Sequence, residues 1–497
     1  MTLKRSPATA SPPLLKIAPP ASWRIGATAL GALLLSACAG LPGLQEAAPP
    51  AAKPLAEVAT PAWQAPLPHN GQLTDLRSWW LRQGDALQVE LIEAAQGVNP
   101  SLAMAASRIA QARASVRGAQ AAGGPTLDGS ASVSRAQNAT FPTTPPANTL
   151  QVGLMAGWEI DLFGATRASQ SAAAERLMGA QAQWHDARVS VAAEVANQYI
   201  AYRACAVQLA LTRQDTASKA ESARLTAITT RAGFTASGQQ ALSDAVAAEA
   251  ANQAVSVAAQ CESGVKALVA LTGISEAALK QKLAASPVNA PTPALEAPVL
   301  VASVPAQALN QRPDLFAAQR DIAAASQDLA GSQAQQYPRL SLSGSIGALN
   351  VNTGGVSADV TTWSIGPLAL SLPLYDGGRR AANVDAAKAR YDEATVVYQG
   401  RVRAAVREVE DALVNLRATS DRSAPTQAAA QAWRAALLAA ETRQKNGFAS
   451  LVEVEETRRM AMAADIGRLG LQRDRQLAWV ALYRAVGGGW ERPNDAP

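Results

Sequence analysis

Apolar residues recur every three or four positions through two very long stretches of this chain, and every second position through four short ones. In Arg167 to Arg231 the series Val189, Ala192, Ala193 and Ala196 marks one helical face; in Arg379 to Lys445, Val402, Val406, Val409 and Leu413 do the same. The first stretch holds no proline and one glycine in 65 residues, and the second only Pro425 and one glycine in 67. At 1.5 Å per residue each predicts a helix about 100 Å long, more than any globular domain needs. A shorter helical period covers Pro100 to Ala122. Thr126 to Arg135, Thr149 to Trp158, Arg339 to Gly347 and Trp363 to Leu374 instead alternate apolar with small or polar residues, as Leu150, Val152 and Leu154 show. Alternation over about ten residues suits a tilted transmembrane β-strand. The segments between paired strands, proline-dense Phe141 to Asn148 and Gly- and Asn-rich Val351 to Ser357, read as outward-facing loops.

These elements occur twice. Pro100 and Pro313 stand 213 residues apart, as do Pro125 and Pro338; Phe163 and Tyr375 stand 212 apart; Gly233 and Gly447, and Gly273 and Gly487, stand 214 apart. The chain therefore divides into a first repeat over 71–290 and a second over 291–490, with a tail at 491–497. Each repeat reads helix, two strands, very long helix, tight turn, helix. Four strands cannot span a membrane alone, because their edges would leave backbone N–H and C=O groups bare in hydrocarbon. Closure has to come from further copies of the chain. An ordinary coiled-coil stalk would explain the helices but not the strand pairs.

The N-terminus adds an address. A basic leader and the apolar run Ile25 to Leu35 precede Leu35-Ser36-Ala37-Cys38, which resembles the bacterial lipobox. Residues 1–37 then form a signal peptide, and Cys38 carries a covalent, palmitate-containing lipid. Ala39 follows in place of Asp, which by analogy implies sorting to the outer membrane. Residues 38–70, rich in Ala and Pro, read as an extended tether.

Composition and charge narrow the class. Hydrophobic residues, mostly alanine, make up 48% and aromatics only 4%, which favours closely packed helices over a bulky core. The net charge of +5 owes four cations to the leader, where no acid stands, so the mature chain is nearly neutral and lacks the basic footprint of a nucleic-acid binder. Its two histidines, His69 and His185, have no companions at ligand or triad spacing, so no metal site is expected. Ser263 to Lys266 matches S-x-x-K but lacks the companion elements of penicillin-binding proteins. The chain reads as no enzyme and as needing no cofactor beyond the lipid on Cys38. A helical periplasmic scaffold anchored by Cys38 is the alternative from another class.

Taken together, Trp158 to Gly164 (WEIDLFG), Gln311 to Leu315 (QRPDL), Tyr337 to Leu340 (YPRL) and Leu372 to Gly378 (LPLYDGG) resemble the TolC-type outer-membrane factors, in their lipidated NodT-like branch. The resemblance covers roughly Trp79 to Trp490. It implies a mainly α fold with a membrane β-barrel portion: a homotrimer about 140 Å long with a twelve-stranded β-barrel and a periplasmic α-barrel. It also implies a passive exit duct for small molecules such as drugs or toxic compounds. The implied partners are outer-membrane lipid, a periplasmic adaptor (membrane fusion) protein and a resistance-nodulation-division transporter of the inner membrane. Metal-ion and type I protein export remain alternative duties of such a duct.

The same frame assigns sites. Gly233 and Phe234, with Gly447 and Phe448, mark two hairpin tips that would meet the adaptor. Glu453 and Glu456, shortly after the second tip, resemble the acids that line the family's periplasmic aperture; being three apart, they share a helix face. The competing reading is a solvated face among Glu455, Arg458 and Arg459. Gln239, Gln444 and Ala449 depart from the family's closing contacts. Cys205 and Cys261 lie symmetrically about Gly233, level with one another on adjacent helices of a hairpin. In the oxidising periplasm they can form a disulfide, or else face different neighbours as small packing residues.

Overall fold

The structure, a computed structural model, describes residues 55–59, 63–65, 79–137, 145–286, 305–490 and 492. The expected signal peptide, Cys38, His69 and the 491–497 tail apart from Arg492 lie outside the described residues. Helix α1 (Ala86–Val98) starts where the Asp85 side chain accepts from the Gln88 N–H, and α2 (Pro100–Ala122) starts on a proline whose missing N–H costs the first turn nothing. Strands β1 (Thr126–Ala136) and β2 (Ala147–Ile160) follow, then α3 (Ala165–Arg231), α4 (Ser237–Thr272) and α5 (Glu276–Ala285). The second repeat gives α6 (Pro313–Ala334), again with proline in its first turn, then β3 (Arg339–Thr353), β4 (Val356–Ser371), α7 (Arg379–Asp421), α8 (Ser423–Lys445) and α9 (Leu451–Ala485).

Four sequence expectations need correction. The long helix expected over Arg379–Lys445 is interrupted at Arg422, between α7 and α8. Pro425 has no N–H for the Asp421 carbonyl and its ring crowds that carbonyl, so the ladder breaks four residues upstream. Arg422 keeps right-handed helical dihedrals, so the chain kinks and does not turn away. The loop expected at Val351 to Ser357 is mostly strand: β3 runs to Thr353 and β4 resumes at Val356. Gly354 and Gly355, both at positive φ (60° and 89°), make the two-residue turn whose twist matches the flanking strands. The 212-residue match of Phe163 with Tyr375 also shifts. Gly164 (φ 82°) and Gly378 (φ 88°) are both left-handed N-caps of a long helix, so this stretch of the repeat has offset 214 and Phe163 corresponds to Gly377. Finally, the N-terminal segment is not wholly extended. Leu55–Val58 forms a helical turn, Leu55 and Trp63 are buried, and the N–H groups of Gln64 and Ala65 donate to the Glu410 carboxylate at 2.5 and 2.8 Å.

The four strands form one antiparallel sheet in the order β1-β2-β3-β4, so the central β2–β3 pairing joins the two repeats. Register sets Gly129, Leu154, Ile346 and Trp363 side by side, with Ala131, Val152, Ala348 and Thr361 in the next row of that face. The alternate rows hold Asp128, Met155, Ser345 and Ser364, then Ser130, Gly153, Gly347 and Thr362. One face is thus apolar and the other small and polar, yet Leu154, Ile346 and Trp363 are all exposed. Among the described residues nothing covers these exposed side chains, and β1 and β4 each keep one unpaired edge.

The packed core lies among the helices away from the sheet. Trp79 stacks on Tyr483 with Trp80 edge-on, above buried Leu91, Val195, Leu268, Val409, Leu413 and Val480. Buried Ala168, Ala172, Ala182, Ala192 and Ala196 line α3, and Gly331 of α6 leaves room for the Ala168 methyl. Small side chains let these helices approach closely over their length.

Candidate functional site

Both long hairpins turn in the same way. At the first tip the Phe234 N–H donates to the Thr229 carbonyl at 2.9 Å and the Gly233 N–H to the Thr230 carbonyl at 3.0 Å; at the second, Phe448 donates to Arg443 at 2.8 Å and Gly447 to Gln444 at 3.0 Å. This pair of bonds closes a helix end around a left-handed residue, and glycine holds that position in both (φ 81° and 79°). The following phenylalanines are pushed outward: Phe234 is 87% and Phe448 75% exposed, so each tip presents a bare aromatic ring.

Glu453 and Glu456 sit in the first turns of α9. Ser450 caps that helix by accepting from the Glu453 N–H at 3.1 Å. The Glu453 carboxylate accepts from Arg443 at 2.7 Å, and the same guanidinium donates to the Phe448 carbonyl at 3.1 Å, stapling the turn. Glu456 pairs with Arg459 at 2.6 Å, both well exposed. Sequence reasoning passed over Arg443; its position at the start of the capping motif, ten residues before Glu453, was the available signal. It also passed over the role of Glu455. That carboxylate, largely buried, accepts from Ser222 of α3 at 2.7 Å and from Arg458 at 2.5 Å, while Arg458 reaches Glu441 of α8 at 2.8 Å. This chain of polar contacts ties the first hairpin to the second near their tips.

Cys205 of α3 and Cys261 of α4 are joined by a disulfide, their Cα atoms 5.6 Å apart. Neighbouring ties between the two helices run from Gln198 to the Gly264 carbonyl at 3.3 Å and from Thr216 to the Ala250 carbonyl at 3.0 Å. Farther toward the sheet, Arg312 is buried where three helices of the second repeat meet, near Asp186 of the first. It donates to both oxygens of Asp314 at 3.0 and 2.9 Å, to Glu408 at 2.8 Å and to the Ala485 carbonyl at 2.7 Å. Those acceptors outweigh the cost of burial and hold its guanidinium above its ordinary pKa. Asp186 lies in the same region, and burial, then repulsion from Asp314, pushes its carboxyl up. His185, half-buried, packs edge-on against Trp184, and burial, then the charge of Arg188, lowers its pKa. Ser263 is exposed and Lys266 is paired with Glu276, an arrangement without a nucleophile–base pair. Among the described residues no group of His, Cys, Asp and Glu is placed to hold a metal ion.

An apolar-faced sheet with open edges, carried on helices up to 67 residues long that end in paired tips, defines a membrane channel with a periplasmic extension. The outer membrane efflux protein family profile matches residues 91–274 and 304–488, and the chain belongs to this family. It is the passive outer-membrane exit duct of an efflux pump and reaches into the periplasm; family members are channels, not enzymes. Outer membrane protein OprJ of Pseudomonas aeruginosa is 31% identical over 468 residues, covering 93% of this chain and 95% of its own. Nodulation protein T of Rhizobium leguminosarum bv. trifolii is 28% identical, covering 85% and 89%. The crystal structure of a membrane protein from Pseudomonas aeruginosa superposes with a TM-score of 0.74 at 29% identity, covering 86% of this chain and 98% of that one.

Proposed function

We propose that this chain works as a homotrimer, in which three sheets close one barrel and the helices continue it as a duct. A periplasmic adaptor would seat on the tips, and an inner-membrane transporter of the resistance-nodulation-division type would supply energy and choose the cargo, small drug-like or toxic molecules. The observation that carries the trimer is the sheet: among the described residues both edges are unpaired, and Val152, Leu154, Ile346 and Trp363 of the apolar face are exposed, so burial in lipid and pairing with further copies satisfy both at once. Exposed Phe234 and Phe448 support the tips as the adaptor's contact. The domain division at 1–37, 38–70, 71–290, 291–490 and 491–497 belongs to the same reading, with a lipid on Cys38 as a second hold on the membrane. A Cys38→Ser variant bearing a cleavable signal peptide is expected to stay in the outer membrane after carbonate extraction. Recovery in the soluble periplasmic fraction would instead mark a lipid-tethered scaffold.

Glu453 and Glu456 are proposed as the aperture acids. Threefold symmetry would gather their carboxylates around one narrow axis, where they favour cations and offer divalent ions a place to bind. Arg443 and Arg459 offset part of that charge within each copy. The double variant Glu453→Gln, Glu456→Gln is expected to lose cation preference and divalent block in single-channel recordings from planar bilayers. Unchanged selectivity and block would remove these residues from the gate.

A further inference from the structure

The internal repeat makes two kinds of joint at the periplasmic edge of the barrel. One lies within the chain, where the first repeat meets the second. The other lies between copies, where the second repeat meets the first repeat of the next copy, so it rests on the trimer proposed above. Within the chain the joint is closed by Phe163 stacked on Tyr337, ring centroids 4.9 Å apart and 14° from parallel. Even so, a cavity of about 220 Å³ remains there, lined by Glu159, Asp161, Phe163 and Arg339 among others.

The counterparts of these residues are set by the capping glycines and by the prolines preceding β1 and β3. Gly164 aligns with Gly378, so Phe163 corresponds to Gly377; Pro125 aligns with Pro338, so Tyr337 corresponds to Gly124. Both rings of the stack are therefore missing from the joint between copies. Glu159 and Asp161 are replaced there by Pro373 and Tyr375, Arg339 by Thr126, and Ala165 by Arg379. The joint between copies therefore lacks the stacked pair of rings and both of these acids, has Tyr375 where Asp161 stood, and carries a cation at Arg379 in place of the one at Arg339.

What borders this joint suits a lipid. Leu370, Leu372 and Leu374 continue the apolar stripe of β4 past the end of the sheet at Ser371, and Leu374 and Tyr375 are 87% and 92% exposed. Arg379 is exposed, and its guanidinium makes no hydrogen bond or ion pair with any described residue, whereas neighbouring Arg380 is held by Asp376 at 2.8 Å. An apolar stripe continuous with the lipid-facing surface, ending at an unpaired guanidinium, is complementary to an acyl chain ending in a phosphate.

We propose that each joint between copies binds one anionic phospholipid of the periplasmic leaflet, its chain against Leu372, Leu374 and Tyr375 and its phosphate on Arg379, in the space left by Gly377 and Gly124. Native mass spectrometry of the mature protein, delipidated in mild detergent and titrated with phosphatidylglycerol or phosphatidylethanolamine, tests it. The expected result is a trimer that retains one phosphatidylglycerol per copy and binds phosphatidylethanolamine more weakly. Arg379→Gln should weaken phosphatidylglycerol binding about fivefold, the weight of one basic side chain at an anionic lipid surface, and Arg379→Lys should restore it. Gly124→Tyr, which refills the joint, should abolish retention of both lipids while the trimer mass persists. Equal retention by wild type, Arg379→Gln and Gly124→Tyr would overturn the site, as would equal binding of the two lipids or retention of lipopolysaccharide in their place. A spectrum of monomers alone would overturn the trimer, and with it the joint.

Discussion

Replacing Arg312 with alanine is expected to cost about 3–5 kcal/mol of folding stability and to leave little assembled channel, because two acids and a carbonyl lose a buried cation at once. The guanidinium is buried and satisfies Asp314, Glu408 and the Ala485 carbonyl, groups on three different helices or their ends. Without it, Asp314 and Glu408 would face Asp186, whose carboxyl burial already pushes up. Arg312→Lys should recover only part of the loss, since an ammonium cannot present the planar fork that holds both oxygens of Asp314. The measurement is the yield of folded outer-membrane protein and its thermal midpoint in detergent. An alanine variant with wild-type yield and midpoint would show that Arg312 does not hold these three helices of the second repeat together.

Removing the disulfide is the other large effect. With its cysteines 56 positions apart in the sequence, the bridge limits the unfolded chain by about 4 kcal/mol on the chain-entropy estimate. A Cys205→Ala, Cys261→Ala variant should therefore unfold at a clearly lower temperature than the oxidised protein. Reductant should lower the wild-type midpoint to that of the variant and leave the variant unmoved. Since the bridge joins α3 to α4 about two-thirds of the way along α4 from the tip, the loss should concentrate in the first hairpin. Hydrogen exchange over Ser237 to Cys261 should speed up more than exchange over α9. A reductant-insensitive wild type would mean that the two thiols are not joined in the protein as isolated.

Much of this architecture was legible in the order of residues. Helical period over Arg167 to Arg231 and alternation in β1 to β4 are short-range signals, readable because one face of each element must differ from the other. The repeat located both tips, and symmetry about Gly233 put Cys205 level with Cys261 before any coordinates were needed, since an antiparallel hairpin maps sequence distance onto height. The kink at Arg422 was half legible: Pro425 was visible in the stretch, but whether neighbouring helices would carry the chain straight past it was not.

Contacts between elements distant in the chain were decided by packing alone. Ser222 meets Glu455 across 233 residues, Arg312 meets Ala485 across 173, and Glu410 clamps the backbone at Gln64 across 346. A local pattern says that a face is polar or apolar, not which distant residue it will meet, because that depends on how helices as long as 67 residues cross and on where close approach is possible. Hence a Glu-x-x-Arg pair at 455 and 458 looked like an ordinary solvated face, and only the approach of α3 made it the tie between hairpins. The same holds at Gly164 and Gly378. Both glycines stood in the sequence, but only their shared left-handed conformation at the start of a long helix set the register of the repeat, because a backbone angle is what makes two positions equivalent in a fold.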